Sequence, residues 1–146
     1  IVDVRTNTLL GLHQTFLTND GRTKAPVSKN RLMLGKKQGG CVKLTPDEEV
    51  TQGLFVAEGI ETALTALTAG LAPAWAMLDA GNLAALPPLP GVECLTVLAD
   101  HDDAGLRAAG AVADTWTAAG HEVRIMTPPH AGMDWNDALK QAGGCL

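Results

Sequence analysis

Leu95-Thr96-Val97-Leu98-Ala99-Asp100-His101-Asp102-Asp103-Ala104-Gly105 decides how this chain is read. An apolar run with the look of a buried strand stops at an acid, meets a second acid two residues on, and passes into a helical pattern. Three carboxylates within four residues repel one another, and folds rarely put them at a strand exit without a cation to neutralise them. An earlier stretch has the same shape: Leu54-Phe55-Val56-Ala57-Glu58-Gly59, an apolar strand, an acid, a glycine, then a helix. If the two strands run parallel in one sheet, Glu58 and Asp100 emerge at one edge, where open α/β sheets bind ligands.

Outward from these stretches the pattern alternates. Residues 54–57 read as a strand, followed by a helix whose apolar face is Ile60, Ala63, Leu64, Leu67 and Leu71. Residues 74–78 form a second strand, 81–86 a short helix stopped by Pro87-Pro88, and 93–99 a third strand. A long helix over 103–119 presents Leu106, Ala109, Val112, Ala113 and Trp116 on one side and closes at Gly120. Residues 123–126 are a fourth strand, and a last helix begins near Asp134. Such alternation implies a mostly parallel four-stranded sheet flanked by helices, a compact Rossmann-like α/β domain.

The first third is different. Asn19-Asp20-Gly21 is a turn signal, so a hairpin from about Leu9 to Ala25 is expected. The basic loop Gly35–Gly40 lacks the GxxxxGK[ST] pattern of a P-loop. Residues 41–44 read as a short strand, and Thr45-Pro46-Asp47-Glu48-Glu49 as a helix or turn start with acids at its favourable end. Residues 1–50 are therefore expected to form a β-rich basic lead-in packed on a core of residues 51–146.

Charge divides the same way. Residues 1–43 hold eight basic residues against two acids, a formal +6, and the remainder three against 14, a formal −11, which together give the net −5. A basic front and an acidic rear suggest polyanion contact at one end and metal binding at the other, with solvation of a loop-rich segment as the plainer reading of the lysines. At 146 residues and 46% hydrophobic content the chain can bury one core, and with aromatics at 3% alanine and leucine must fill it. No apolar run reaches the ~20 residues of a membrane span. Cys41, Cys94 and Cys145 are far apart and show no zinc-ligand spacing, so reduced thiols in a cytoplasmic protein are expected. The chain starts at Ile1 without a methionine and is expected to be a fragment of a longer protein.

Glu58-Gly59 after one strand and Asp100-x-Asp102-x-x-Gly105 after a later one resemble the two signature motifs of the Toprim domain. That domain is shared by bacterial-type primases, type IA and type II topoisomerases, and some nucleases and recombination proteins. The resemblance is closer to the Toprim modules of phage and conjugative-plasmid primases and primase-helicases. There, stretches like Val56-Ala57-Glu58-Gly59-Ile60-Glu61-Thr62-Ala63 and Asp134-Trp135-Asn136-Asp137 recur, behind a lead-in like Asp20–Ala25 and Leu34–Gly40. The resemblance implies nucleotidyl transfer, the synthesis of an RNA primer on single-stranded DNA from nucleoside triphosphates, with Mg²⁺ or Mn²⁺. It also implies zinc-binding or helicase neighbours in the parent protein, neither of which falls within these residues, and no membrane partner. A Toprim nuclease and a non-catalytic Toprim binding module share the motifs. A topoisomerase would need a tyrosine nucleophile, and this chain has no tyrosine.

Each residue type suits a role. Asp100 and Asp102 offer hard oxygen ligands, and Glu58 resembles the family's invariant acid, a metal ligand or a general acid/base. Gly59 and Gly105 keep backbone close to substrate and let each helix start behind its acid. Asp134 is a further metal acid or the cap of the last helix, with Asp137 exposed. Asp103 is expected as a cap or first-turn acid, Glu61 as a first-turn dipole partner, and His101 as solvent-facing. Lys24, Arg31, Lys36 and Lys37 are the candidate phosphate contacts of the basic front.

Overall fold

Cys94–Leu98 forms the strand that its apolar run predicts, and Leu95, Thr96, Val97 and Leu98 are all buried, as a strand covered on both faces requires. The computed structural model describes residues 1–141, so Cys145 lies outside the described residues. In chain order the strands are β1 (Val2–Asp3), β2 (Gly11–Thr15), β3 (Arg31–Gly35), β4 (Gly40–Lys43), β5 (Gly53–Ala57), β6 (Ala74–Ala76), β7 (Cys94–Leu98) and β8 (Glu122–Met126). The helices are α1 (Ile60–Thr68), α2 (Ala80–Ala84), α3 (Asp103–Ala118) and α4 (Trp135–Gln141), with a 3-10 turn at Asp47–Glu49.

The main sheet has the order β1-β4-β6-β5-β7-β8. Its parallel part, β6-β5-β7-β8, is the expected four-stranded set. The sheet is wider than expected because β4 pairs antiparallel with β6 and β1 antiparallel with β4. Burial explains the addition: Cys41 and Val4 belong to the same apolar core as Leu54, Trp75 and Leu95. The hairpin also differs. Its turn closes as expected, with Thr18 and Thr23 bonded through their backbones and Leu17 bridging Lys24. The regular ladder, however, joins β2 to β3, from Gly11 opposite Gly35 to Thr15 opposite Arg31.

Helices cover both faces. One core packs Leu54, Val56, Leu95 and Val97 beneath Leu83, Ala109, Val112 and Trp116, with the Trp116 indole N–H donating to the Leu86 carbonyl at 2.9 Å. The other face is built from small side chains, Ala57, Ala63, Ala66, Ala74 and Ala76, with Leu98, and Trp135 of α4 packs against them. Small residues on strand and helix alike let α1 lie close to the sheet. No helix among the described residues is long and apolar enough to cross a membrane.

Register fixes what the sheet edge presents. Ala57 is opposite Leu98 on one side and Ala76 on the other. Glu58 therefore leaves β5 between the ends of β6 and β7, with Asp100 two residues beyond Leu98 and Asp79 three beyond Ala76.

Candidate functional site

Parallel strands deliver their carboxyl ends to one edge, and here three of them end in an acid. Glu58 and Asp100 are half-buried, whereas Asp102 is exposed. Burial first, then the charges of Asp100, Asp102 and Asp79, push the Glu58 carboxyl above its ordinary range, and the Ala80 amide pulls it back in part. Burial followed by Asp102 and Asp134 does the same to Asp100. The structure thus brings together Glu58, Asp100, Asp102 and Asp134, and adds Asp79.

Local geometry holds them there. Asp102 is the cap of α3, its Oδ1 accepting the Gly105 amide at 2.8 Å. Asp103 is the first residue of that helix and so takes the first-turn place among its two expected roles, while the cap is its neighbour. Gly105 is buried so tightly that an added Cβ would lie 2.6 Å from the Asp100 carbonyl oxygen. Only glycine lets the first turn of α3 press on the backbone that carries Asp100. At Gly59 a Cβ would meet only the Thr62 hydroxyl and the Glu61 carboxylate, at 3.6 and 3.8 Å, so within this chain space does not demand glycine there.

His101 departs from the solvent-facing expectation. It is half-buried, with Nδ1 2.8 Å from the Pro128 carbonyl, and its own carbonyl accepts the Gly132 amide at 2.9 Å. The loop after β8 folds over it. That loop returns Asp134 to the acid edge. Asp134 also caps α4, its Oδ1 accepting the Asp137 amide at 2.8 Å.

Between these elements lies a small recess of about 110 Å³, bounded by Asp100, His101, Asp102, Gly132, Met133 and Asp134. Among the described residues no three His, Cys, Asp or Glu side chains form a group that could hold a metal ion between them. Crowded carboxylates around a polar recess instead suit a hydrated hard cation, which takes one or two carboxylates and keeps several waters.

Residues 53–144 match the family model described as Toprim domain. The chain belongs to the Toprim family. Residues 1–44 match a second model, described as "Domain of unknown function (DUF7146)". No curated protein matches the chain. Among solved structures, the Aquifex aeolicus primase (zinc-binding and RNA polymerase domains) is 21% identical with a TM-score of 0.65, the match covering 99% of this chain and 36% of that one. The E. coli primase catalytic core is 18% identical with a TM-score of 0.63, covering 96% and 46%. The RNA polymerase domain of Mycobacterium tuberculosis primase DnaG is 19% identical with a TM-score of 0.56, covering 97% and 50%. These likenesses establish a shared fold. The chain spans at most half the length of those solved chains.

Of the eight cations of the basic front, Lys24, Arg31, Lys37 and Lys43 have carboxylate partners. Lys24 Nζ and Arg31 Nη2 both lie 2.7 Å from Glu61 Oε1. Burial would raise the Glu61 carboxyl, but hydrogen bonds from Lys24, its own amide and Arg31 outweigh that and hold it at about 2. Glu61 is therefore more than a first-turn dipole partner. Lys37 Nζ lies 2.8 Å from Asp79 Oδ2, and Lys36 is exposed on the same loop.

Two residues escaped the sequence reading. Asp79 caps α2 through the Asn82 amide at 2.8 Å. Its signal was present, since Trp75-Ala76-Met77-Leu78-Asp79 repeats the strand-then-acid pattern of Glu58 and Asp100. Asn82 is buried, donates to the Lys37 and Gly40 carbonyls and accepts the Gly39 amide, which pins the basic loop to α2. No local pattern announces that contact.

Proposed function

We propose that this chain is the catalytic Toprim module of a primase-like protein, performing divalent-metal-dependent nucleotidyl transfer that builds an RNA primer on single-stranded DNA. The observation that carries the reading is the set of strand-exit acids, Glu58, Asp100 and Asp102, crowded at one sheet edge, where burial and then neighbouring carboxylates raise the proton affinity of Glu58 and Asp100. Asp100 and Asp102, with Glu58 and Asp134, are the residues that would hold Mg²⁺ or Mn²⁺. When bound, such an ion supplies charge neutralisation on the triphosphate and its leaving group. Glu58, half-buried and raised above its ordinary value, is suited to take the proton of an attacking 3′ hydroxyl when it is not itself a ligand. Gly105 keeps the Asp100 backbone fixed against α3, and Asp102 keeps one oxygen on the Gly105 amide, so neither acid is free to drift.

The same reading takes nucleoside triphosphates and single-stranded DNA as partners, with Lys24, Arg31, Lys36 and Lys37 contributing phosphate contacts and Gly59 a close backbone approach. Residues 51–146 would be the catalytic core, with residues 1–50 its lead-in. The parent would be a cytoplasmic plasmid or phage protein with zinc-binding or helicase neighbours.

The test places Glu58→Gln and Asp100→Asn separately in the parent protein, with labelled ribonucleotides and a single-stranded template. Each should lower primer synthesis by about 10²-fold or more, the usual loss when one transition-state electrostatic partner is removed. Undiminished synthesis in both would remove these residues from catalysis. Metal-dependent cleavage without synthesis in the wild type would make the protein a Toprim nuclease.

A further inference from the structure

Two cations that converge on a single carboxylate oxygen imitate the grip of a protein on a phosphate oxygen. Lys24 and Arg31 do this at Glu61 Oε1, each at 2.7 Å. The trio keeps one net positive charge, and Arg22 lines the same place. Beside it opens a cavity of about 660 Å³ between the β2–β3 hairpin and α1, a volume in the range of small-molecule sites. Its walls combine the hydroxyl-bearing Thr15, Thr23 and Thr65 with the apolar Leu17, Ile60 and Leu64. Leu17 and Leu64 are about half exposed, at 53% and 49%. The chemistry selects a ligand with a phosphate at one end and a flat or apolar group at the other.

We propose that Glu61 is a displaceable stand-in for that phosphate: it occupies the Lys24–Arg31 pair in the empty chain and yields it to a phosphate of a nucleotide or of a nucleic-acid strand. The proposal rests on the reading of this chain as a nucleotidyl-transfer module and adds to it a residue that sets affinity at the basic front. Glu61 is three residues past Glu58, in the first turn of α1, so its release links occupancy of the groove to the helix that starts behind the candidate catalytic acid. With 41% of its side chain exposed, the carboxylate can rotate to solvent without opening the core. A phosphate monoester or diester brings equal or greater charge and more acceptor oxygens to the same donors. The depressed proton affinity of Glu61 means that the stand-in stays charged through the neutral range, so displacement is by competition and not by protonation.

The experiment measures metal-free binding of two probes, a fluorescent ribonucleoside triphosphate and a fluorescent oligodeoxynucleotide, to the wild-type chain, Glu61→Gln, Glu61→Ala, and each of these with Lys24→Ala and Arg31→Ala added. Both Glu61 variants should bind at least one probe about two- to fivefold more tightly, a modest gain because the competing pairs are solvent-exposed. Adding the two cation substitutions should cancel the gain. Tightening for the triphosphate alone identifies a nucleotide site, and for the oligonucleotide alone a strand site. Affinity unchanged or lowered in both Glu61 variants, while the wild type binds, overturns the stand-in role and leaves phosphate binding by the front intact. Absence of binding to either probe in every form overturns both the stand-in and the phosphate role of Lys24 and Arg31. Melting curves for each variant separate a lost hairpin contact from a lost fold.

Discussion

The acid edge and the basic hairpin are built on opposite electrostatic rules. At the edge, Glu58, Asp100, Asp102 and Asp134 are brought together, and burial with neighbouring carboxylates pushes Glu58 and Asp100 toward their neutral forms. At the hairpin, Lys24 and Arg31 are matched by Glu61, and Lys37 nearby by Asp79. One region sets like charges side by side, and in the other opposite charges already pair. On the proposed reading the first would gain free energy from a cation, whereas the second would have to exchange one anion for another.

The largest expected effect breaks the acid edge mechanically. Gly105→Ala would set a Cβ 2.6 Å from the Asp100 carbonyl oxygen, a backbone atom that cannot step aside cheaply. Overpacking of this kind typically costs about 1–3 kcal/mol, so a clearly lowered denaturation midpoint is expected. Gly59→Ala meets only contacts of 3.6 Å and longer and should change stability by less than about 1 kcal/mol. Equal losses at both glycines would mean that the two strand–helix junctions are packed alike.

Neutralising charge should act with opposite signs in the two regions. At pH 7 without divalent ions, Glu58→Gln and Asp100→Asn should raise the thermal midpoint, and Glu61→Gln should lower it, each within about 1 kcal/mol for such partly exposed groups. The pH dependence separates them further. Glu58 and Asp100 have raised folded-state values, so their penalty is absent below their ordinary values of 4.5 and 3.8, grows as pH rises past them and is complete above the folded values. Glu61 is lowered to about 2, so its contribution is whole above its ordinary 4.5 and is lost as pH falls toward 2. Melting of wild type and variants across pH 2–7 should show both differences shrinking on acidification from opposite sides. A difference of the same sign at both sites would contradict the contrast.

Much of the acid edge was legible in the sequence because each of its parts is local. Leu54–Ala57 and Leu95–Ala99 announce buried strands by composition, and an acid at the end of such a run is placed by the strand itself. Parallel pairing then follows from the intervening helix. What was not legible depends on distant partners. Nothing in Gly40–Lys43 says that it pairs with Ala74–Ala76, and nothing near Arg31 points to Glu61, 30 residues on. The turn at Asn19-Asp20-Gly21 was readable, but the ladder beyond it, β2 with β3, was set by a longer excursion than the turn signal implies. His101 departs from its expectation because its cover comes from Pro128, on a loop that leaves another strand.

We propose the acid edge as a site for a hydrated divalent cation. Calorimetric titration of Mn²⁺ into the wild-type chain and into Asp100→Asn/Asp102→Asn tests it most directly. Weak binding in the wild type, at least tenfold weaker or lost in the double variant while its fold is retained, is the predicted result. The same Mn²⁺ affinity in both proteins would contradict it.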